Sequence, residues 1–282
     1  MFSNQSIRRM CTASSELELR LAPEDWSKVL NANREFVEGP TQWRGSSAWG
    51  QYLLDKLGLE AQGLSGANAL EVCCGNGFLF FSLYELHCVP KHPCLVDLSE
   101  VQLSSFRKRC EQTAISIPHV VCADIGQLPI SDNSVSLVYG HSFLHHLPDV
   151  GSYMREVYRV LCPGGRFIAF HEPTPTAPML ESFPAIWRHR NTAGLTDIWL
   201  ISETCMRQCL SSAAFRDITI EPSSLISSIT VIPLEKIWRR LKHKYPGWAP
   251  TFRKCCDAFE RSCLPRRLRT KWAPSISISA YK

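Results

Sequence analysis

Residues 69–79 read Ala-Leu-Glu-Val-Cys-Cys-Gly-Asn-Gly-Phe-Leu. Ala69 to Cys73 predicts a short buried strand and Cys74 to Gly77 a tight turn. Phe78 opens a helix carried by Phe80, Phe81, Leu83 and Tyr84. A glycine turn between strand and helix lets backbone approach a ligand where a side chain would stand in the way. The helix N-terminus beyond it offers unpaired N–H groups to an electron-rich group. Glu71 lies just before the turn, where a phosphate-binding loop carries a neutral or positive group. A carboxylate there repels a pyrophosphate and suits a ligand with an ammonium group.

The 282 residues suffice for one large α/β domain with a cap, or for two small domains. Hydrophobic content of 45% and charged content of 20% are those of a soluble globular protein. No run of about 18 apolar residues occurs, so no transmembrane segment is expected. The thirteen cysteines are odd in number, are spread through predicted strands and helices, and follow no apolar leader. They read as reduced thiols in a reducing, cytoplasmic setting. The adjacent pairs Cys73-Cys74 and Cys255-Cys256 lack C-x-x-C spacing, so no metal site is expected. Residues 1–22 read as a flexible N-terminus. The first fifteen contain no acid, two arginines and four serines, which leaves a mitochondrial transit peptide as the alternative.

Outward from the glycine turn the chain alternates strands and helices. Residues 23–66 are expected to form a helical cap, with helices through Trp26–Leu30 and Trp49–Leu57; Trp43 and Trp49 pack there or face a substrate. Residues 67–172 form the core. Cys94 to Val96 is a second buried strand with Asp97 at its end, Leu98 after it and Ser99 as the cap of the next helix. Asp97 falls twenty residues after Gly77. An acid at that distance, beside the glycine turn, can accept hydrogen bonds from both hydroxyls of a ribose. Ile117 to Cys122 is a third strand, ending in Asp124, which can accept from an adenine amino group, and Ile125, which can lie against the ring. Val135 to Tyr139 is a fourth strand, followed by His141 and Leu144-His-His-Leu-Pro-Asp149. A helix spans Ser152 to Leu161, Cys162-Pro-Gly-Gly turns the chain, and Arg166 to Phe170 is a fifth strand leading to His171 and Glu172. Residues 173–282 complete the domain. Helical patches fall at Ala185–Arg190 and Cys205–Ser211, a sixth strand begins near Phe215, and Ser275-Ile-Ser-Ile-Ser-Ala-Tyr alternates strictly, as an edge strand would.

The stretch Glu71-Val-Cys-Cys-Gly-Asn-Gly77 resembles the glycine-rich first motif of class I S-adenosylmethionine (SAM)-dependent methyltransferases, with Cys73 in place of the first glycine. Asp124, Leu128-Pro129, Asp132-Asn133-Ser134, Leu137-Val138-Tyr139, Leu144–Asp149 and Arg155–Phe167 resemble, in order, the string typical of the methyltransferase type 11 group. Ser136 stands where that group usually has Asp. The resemblance runs from about residue 68 to 172. It implies a Rossmann-like α/β fold with a seven-stranded, mostly parallel sheet and helices on both faces. It also implies a last strand inserted antiparallel between the fifth and sixth, and SAM as cofactor. The cofactor-binding set it implies is Glu71, Cys73, Gly75, Gly77, Asp97, Leu98, Asp124, Ile125 and His141.

SAM carries an activated methyl, so the protein mainly holds donor and acceptor in line and excludes water. An oxygen acceptor also loses a proton, and histidine suits that task. The catalytic candidates are His141, His145 and His171, near strand ends where open α/β sheets place ligands; His146 and Glu172 lie close in sequence. No NPPY-like motif and no catalytic cysteine pair occurs, which makes a small molecule the expected acceptor. Residues 236–271 hold twelve lysines and arginines against two acids, a net of +10, so the remainder is net −5. This basic insertion, about residues 233–272, reads as two amphipathic helices, one on Leu234, Ile237, Trp238, Leu241 and Tyr245, the other on Phe252, Cys255, Phe259 and Cys263. It is expected to form a lid packed on the sheet, with an anionic substrate or membrane surface as the next use. No module for DNA or RNA base recognition is visible. The alternatives to a small-molecule enzyme are a methyltransferase-fold partner protein that does not catalyse, and an RNA methyltransferase.

Overall fold

A computed structural model describes residues 50–51, 54–55, 67–147, 149–174, 200–226, 244–245 and 248–282. The readings placed on residues 1–49, on Ala185–Arg190 and on the helix from Leu234 to Leu241 lie outside these. Seven strands form one sheet: β1 (Asn68–Val72), β2 (His92–Asp97), β3 (His119–Cys122), β4 (Val135–His141), β5 (Leu161–Pro173), β6 (Arg216–Pro222) and β7 (Ser275–Tyr281). Their order is β3-β2-β1-β4-β5-β7-β6. The pairs among β1 to β5 are parallel, and β7 runs antiparallel to both β5 and β6. The inserted last strand is therefore present as the resemblance implies.

Parallel strands buried on both faces need apolar side chains on both. In β1, Leu70 and Val72 join a core with Val138, Phe167 and Ala169, while Ala69 faces Leu137, Tyr139 and Ile168 on the other side. Helices α1 (Phe78–Tyr84) and α2 (Glu100–Gln112) cover this second side through Leu79, Leu83, Leu103 and Phe106. Helices α3 (Val150–Val160) and α4 (Glu203–Ser212) cover the first through Met154, Val157, Met206 and Leu210. Each such fully buried side chain contributes about 2 kcal/mol. Two further helices, α5 (Trp248–Cys263) and α6 (Arg266–Trp272), precede β7.

Capping sets the helix starts. Ser99 Oγ accepts from Gln102 N at 3.3 Å, and Asp149, not Ser152, caps α3 by accepting from Ser152 N at 3.0 Å. The stretch from Leu128 to Arg159 is tied together by one side chain. Arg159 reaches Glu156 Oε1 at 2.7 Å, the Ile130 carbonyl at 2.8 Å, the Leu128 carbonyl at 3.1 Å and the Asp132 carboxylate. Ser136 donates to the Asn68 carbonyl at 3.2 Å.

Three expectations are corrected. Cys162-Pro-Gly-Gly does not separate helix from strand. It is an extra loop inside β5, where Leu161 still pairs with Val135 before the register jumps to Arg166 opposite Leu137, with Gly164 at φ 77° taking the turn. The Ser-Ile alternation of β7 is not an edge pattern. Ser275, Ser277 and Ser279 are buried, and their hydroxyls meet His171 Nδ1 at 2.9 Å, His171 N at 3.2 Å and Arg166 Nε at 2.7 Å. A polar residue can alternate into a core when its hydroxyl is matched. The third correction concerns α5, whose apolar stripe faces outward: Phe259 is 59% exposed, while Asp257 and Glu260 are buried. Helix α6 was not anticipated from the sequence.

At position 77 the turn cannot carry a side chain. Gly77 has a φ of 81°, and a Cβ there would overlap the Phe106 ring of α2. Gly77→Ala is expected to cost about 3 kcal/mol, read as a fall in denaturation midpoint at constant m-value.

Candidate active site

All parallel strands end on one rim, and the turn after β1 opens that rim. Cys73, Gly75 and Gly77 all lie at positive φ: 49°, 52° and 81°. The backbone at Cys73 thus keeps the left-handed form that the family pattern assigns to glycine, at a cost of about 1 kcal/mol for a residue with a Cβ. At Gly75 a Cβ would meet nothing within 4 Å, so the space over the turn is open. Asp97, at the end of β2, holds the turn from the side. Its Oδ2 accepts from Gly75 N at 2.8 Å and its Oδ1 from Ser99 N at 2.9 Å. Burial raises its pKa above the usual carboxylate value, and these backbone donors oppose that rise. Leu98 beside it is half-buried, and its carbonyl accepts from Cys122 Sγ at 3.4 Å.

Glu71 lies inside the sheet, 2% exposed, under the turn. Burial, with the Asp97 charge adding, raises its pKa to about 8. Its Oε2 and the Tyr139 hydroxyl next to it are buried without a well-formed hydrogen bond among the described residues. A carboxyl in that state is cheapest when protonated or when it faces a cation. Asp124 is exposed, and its Oδ1 accepts from Gly126 N at 2.7 Å and from the Tyr153 hydroxyl at 3.4 Å. Ile125 is turned into the core with Leu128 and Met154, so its side chain is not on the rim surface.

The ends of β4 and β5 carry the histidines. His141 packs on Phe78, the first residue of α1, with ring centroids 5.1 Å apart. His171 also stacks on His141, with centroids 5.8 Å apart and an interplanar angle of 14°. A β-bulge aims His171. The β5–β7 register slips between Ala169 and Glu172, and His171 sits at φ 57°. Ser275 Oγ meets its Nδ1 at 2.9 Å. Phe78, His141 and His171 thus form a row of rings across the rim. Burial, then the neighbouring His171, lowers the His141 pKa to about 3, so its ring is neutral. His145 stands apart from this row. It is 7% exposed, and its Nδ1 lies 3.1 Å from Glu172 Oε2. Glu172 Oε1 accepts from Phe143 N at 2.9 Å, and burial raises the Glu172 pKa to about 7. The pair locks the short 3-10 turn Leu144–His146 onto β5, while His146 is exposed. The residues that the sequence reading left out of the site are Phe78 and Ser275. Phe78 was legible as the first helical residue after the turn. Ser275 lies 104 positions from His171, with no local signal.

Cys73 shows the charge of the site as a whole. Burial first, then Asp97, Glu172 and Asp124, push its thiol pKa well up. The Asp97 carboxylate, bonded to Gly75 N in the turn itself, repels a phosphate and attracts a cation. SAM, whose sulfonium and ammonium are both positive, fits this turn and these acids. Among the described residues no group of three His, Cys, Asp or Glu side chains could hold a metal ion.

Strand order, reversed last strand and a glycine turn flanked by acids at the ends of β1 and β2 together define a class I SAM-dependent methyltransferase domain. The family model described as "Methyltransferase domain" matches residues 70–169, so this segment is similar to the methyltransferase type 11 group. The chain is 30% identical over 125 residues to a demethylmenaquinone methyltransferase of Listeria welshimeri, covering 44% of this chain and 53% of that one. It is 25% identical over 184 residues to a 2-phytyl-1,4-naphtoquinone methyltransferase of Synechococcus elongatus, covering 63% and 73%. The chain spans about half the length of the first of these. In fold it resembles a SAM-dependent methyltransferase from Mesorhizobium loti, with a TM-score of 0.52, 18% identity, and coverage of 85% of this chain and 100% of that one.

The buried carboxyl of Glu71 has a stability consequence. Its pKa is raised on folding, so the unfolded chain ionises first as pH rises. Stability is expected to fall from about pH 5 to the folded value near 8. Glu71→Gln removes that ionisation. The melting temperature of the variant relative to wild type should climb steadily between pH 5 and pH 8, and a difference independent of pH would refute the assignment.

Proposed function

We propose that this chain transfers a methyl group from SAM to a small planar-ring acceptor. The single observation that carries the reading is the ring row Phe78–His141–His171, laid beside a glycine turn surrounded by carboxylates. When bound, SAM supplies a methyl already activated on its sulfonium. In this reading the backbone of residues 73–77 cradles the methionine part, Glu71 meets its ammonium, Asp97 takes the ribose hydroxyls and Asp124 the adenine amino group. Leu98 lies against the nucleoside. The acceptor ring lies on His141 and His171. A neutral His141 is too weak a base to accept a proton at neutral pH, so its role is to present a flat face. His171, fixed at Nδ1 by Ser275, takes the proton from an acceptor hydroxyl. His145 and Glu172 position the loop after β4.

The names of the two relatives direct the acceptor toward a hydroxylated naphthoquinone-like ring. Deprotonating a ring hydroxyl makes both its oxygen and the adjacent ring carbon nucleophilic; in C-methylation the protonated base returns its proton to the oxygen as the methylated carbon loses its own hydrogen to water. A non-catalytic partner protein remains the competing reading, and Cys73 at the first glycine position is what favours it.

Calorimetric titration separates them. SAM is expected to bind with a micromolar Kd, and Asp97→Ala to weaken it at least about tenfold, equivalent to about 1.4 kcal/mol. No binding by the wild-type chain would overturn the enzyme reading. With labelled SAM and reduced naphthoquinones as acceptors, His171→Asn is expected to lower kcat about 100-fold with KM nearly unchanged. An unchanged kcat would remove His171 from the chemistry.

A further inference from the structure

Helix α5 is built inside out. Trp248, Phe252, Cys255, Phe259 and Cys263 follow at spacings of four, three, four and four, which makes one stripe along the helix. That stripe faces outward: Trp248 is 37% and Phe259 59% exposed, and Cys255 and Cys263 are exposed. The opposite face carries the acids. Glu260, 1% exposed, accepts from Ser224 Oγ at 3.0 Å, Leu225 N at 3.1 Å and Ile226 N at 2.5 Å. Asp257 is buried beside it. This tether fixes the rotation of the helix and turns its aromatic residues away from the sheet. Helix α6 repeats the pattern. Leu268 and Trp272, four apart, are 48% and 45% exposed and are bordered by exposed Arg267 and Lys271, also four apart.

With both acids of residues 248–272 turned inward, the charge this surface presents is positive: Lys254, Arg261, Arg266, Arg267 and Lys271 are all exposed. Lys254 faces Asp55 at 2.5 Å and Arg266 faces Glu203 at 2.9 Å. Outward aromatic residues with cations along their border suit the boundary of an anionic bilayer, where rings enter the acyl region and cations meet headgroups. A second copy of the chain fits less well, since it would set this positive border against itself. The surface also lies on the active rim. Residues 224–226, which hold Glu260, follow the end of β6, and α6 leads into the start of β7 beside His171.

We propose that α5 and α6 dock this protein on an anionic phospholipid membrane, with Phe259, Leu268 and Trp272 entering the interface. The proposal goes beyond methyl transfer and holds without it. The test is sedimentation of the full chain with vesicles of phosphatidylcholine alone or mixed with phosphatidylserine. SAM titration and gel filtration are run on the same preparation. Binding to the anionic vesicles is expected to be at least about tenfold stronger than to neutral ones and to weaken with salt. Phe259→Ser with Trp272→Ser should lower it about tenfold at unchanged melting temperature and unchanged SAM affinity. Equal binding to both vesicle types, or no effect of the double substitution, would overturn it. So would a dimer that the double substitution dissociates, or RNA retention lost in that variant without vesicle binding. Loss of SAM binding with vesicle binding intact would sink methyl transfer alone.

Discussion

The Asp97 carboxylate holds two turns at once. One oxygen takes Gly75 N and the other Ser99 N, so the turn after β1 and the start of α2 are fixed to the same two atoms. Phe106 of that helix fills the space where a Cβ on Gly77 would lie. Backbone at left-handed φ is held by packing on one side and a carboxylate on the other, and neither would suffice alone. The parallel pairing of β1 with β2 brings these pieces into register, Val72 opposite Val96, so the site follows directly from strand order.

The same region concentrates carboxyl groups in a poorly solvated place. Burial raises the pKa values of Glu71, Asp97 and Glu172 together, each through loss of water and not through a shared partner. Asp97 and Glu172 are each satisfied by backbone N–H groups; Glu71 keeps an oxygen unsatisfied. Keeping a buried acid is a stability cost that a cationic ligand removes. In the proposed site, where Glu71 meets the donor's ammonium, folding free energy and donor affinity are thereby linked. That link also explains how Cys73 is tolerated. Its thiol is held neutral first by burial and then by Asp97, Glu172 and Asp124, so it adds bulk without adding charge.

Much of this was legible in the sequence because local pattern and tertiary role coincide. Apolar runs in β1, β2 and β4 fit strands buried on both faces, Ser99 caps where its position says it should, and the acids at strand ends fall on one rim. What was not legible involves long-range pairing. Serine in β7 looks like a solvated residue until Arg166 and His171 are placed opposite it. The loop at Cys162–Gly165 reads as a stop because proline and glycines are stops locally, yet pairing resumes across it. Ile125 was read as ring-facing beside Asp124, but in the turn that follows β3 its side chain is buried in the core. His145, one of three similar histidines by spacing, was separated from the others only by the Glu172 carboxylate 27 residues away.

Two departures from the pattern that the sequence alone suggests, at His171 and in helix α5, have physical causes in the fold. A strand that kept strict alternation would send His171 and Glu172 to opposite faces, with His171 on the face of Phe167 and Ala169. The bulge rotates His171 onto His141 instead, while Glu172 keeps its own partners in the layer below. Helix α5 departs in its rotation: three hydrogen bonds to Glu260 outweigh burial of the aromatic stripe. A single buried carboxylate with three donors is worth several kcal/mol more than one left unsatisfied. Turning the helix to bury Phe259 would carry Glu260 and Asp257 toward solvent and strand the N–H groups of Leu225 and Ile226. The apolar stripe is therefore held outward by polar chemistry on the opposite face. Its exposure is a consequence of the fold and is maintained whether or not anything covers it.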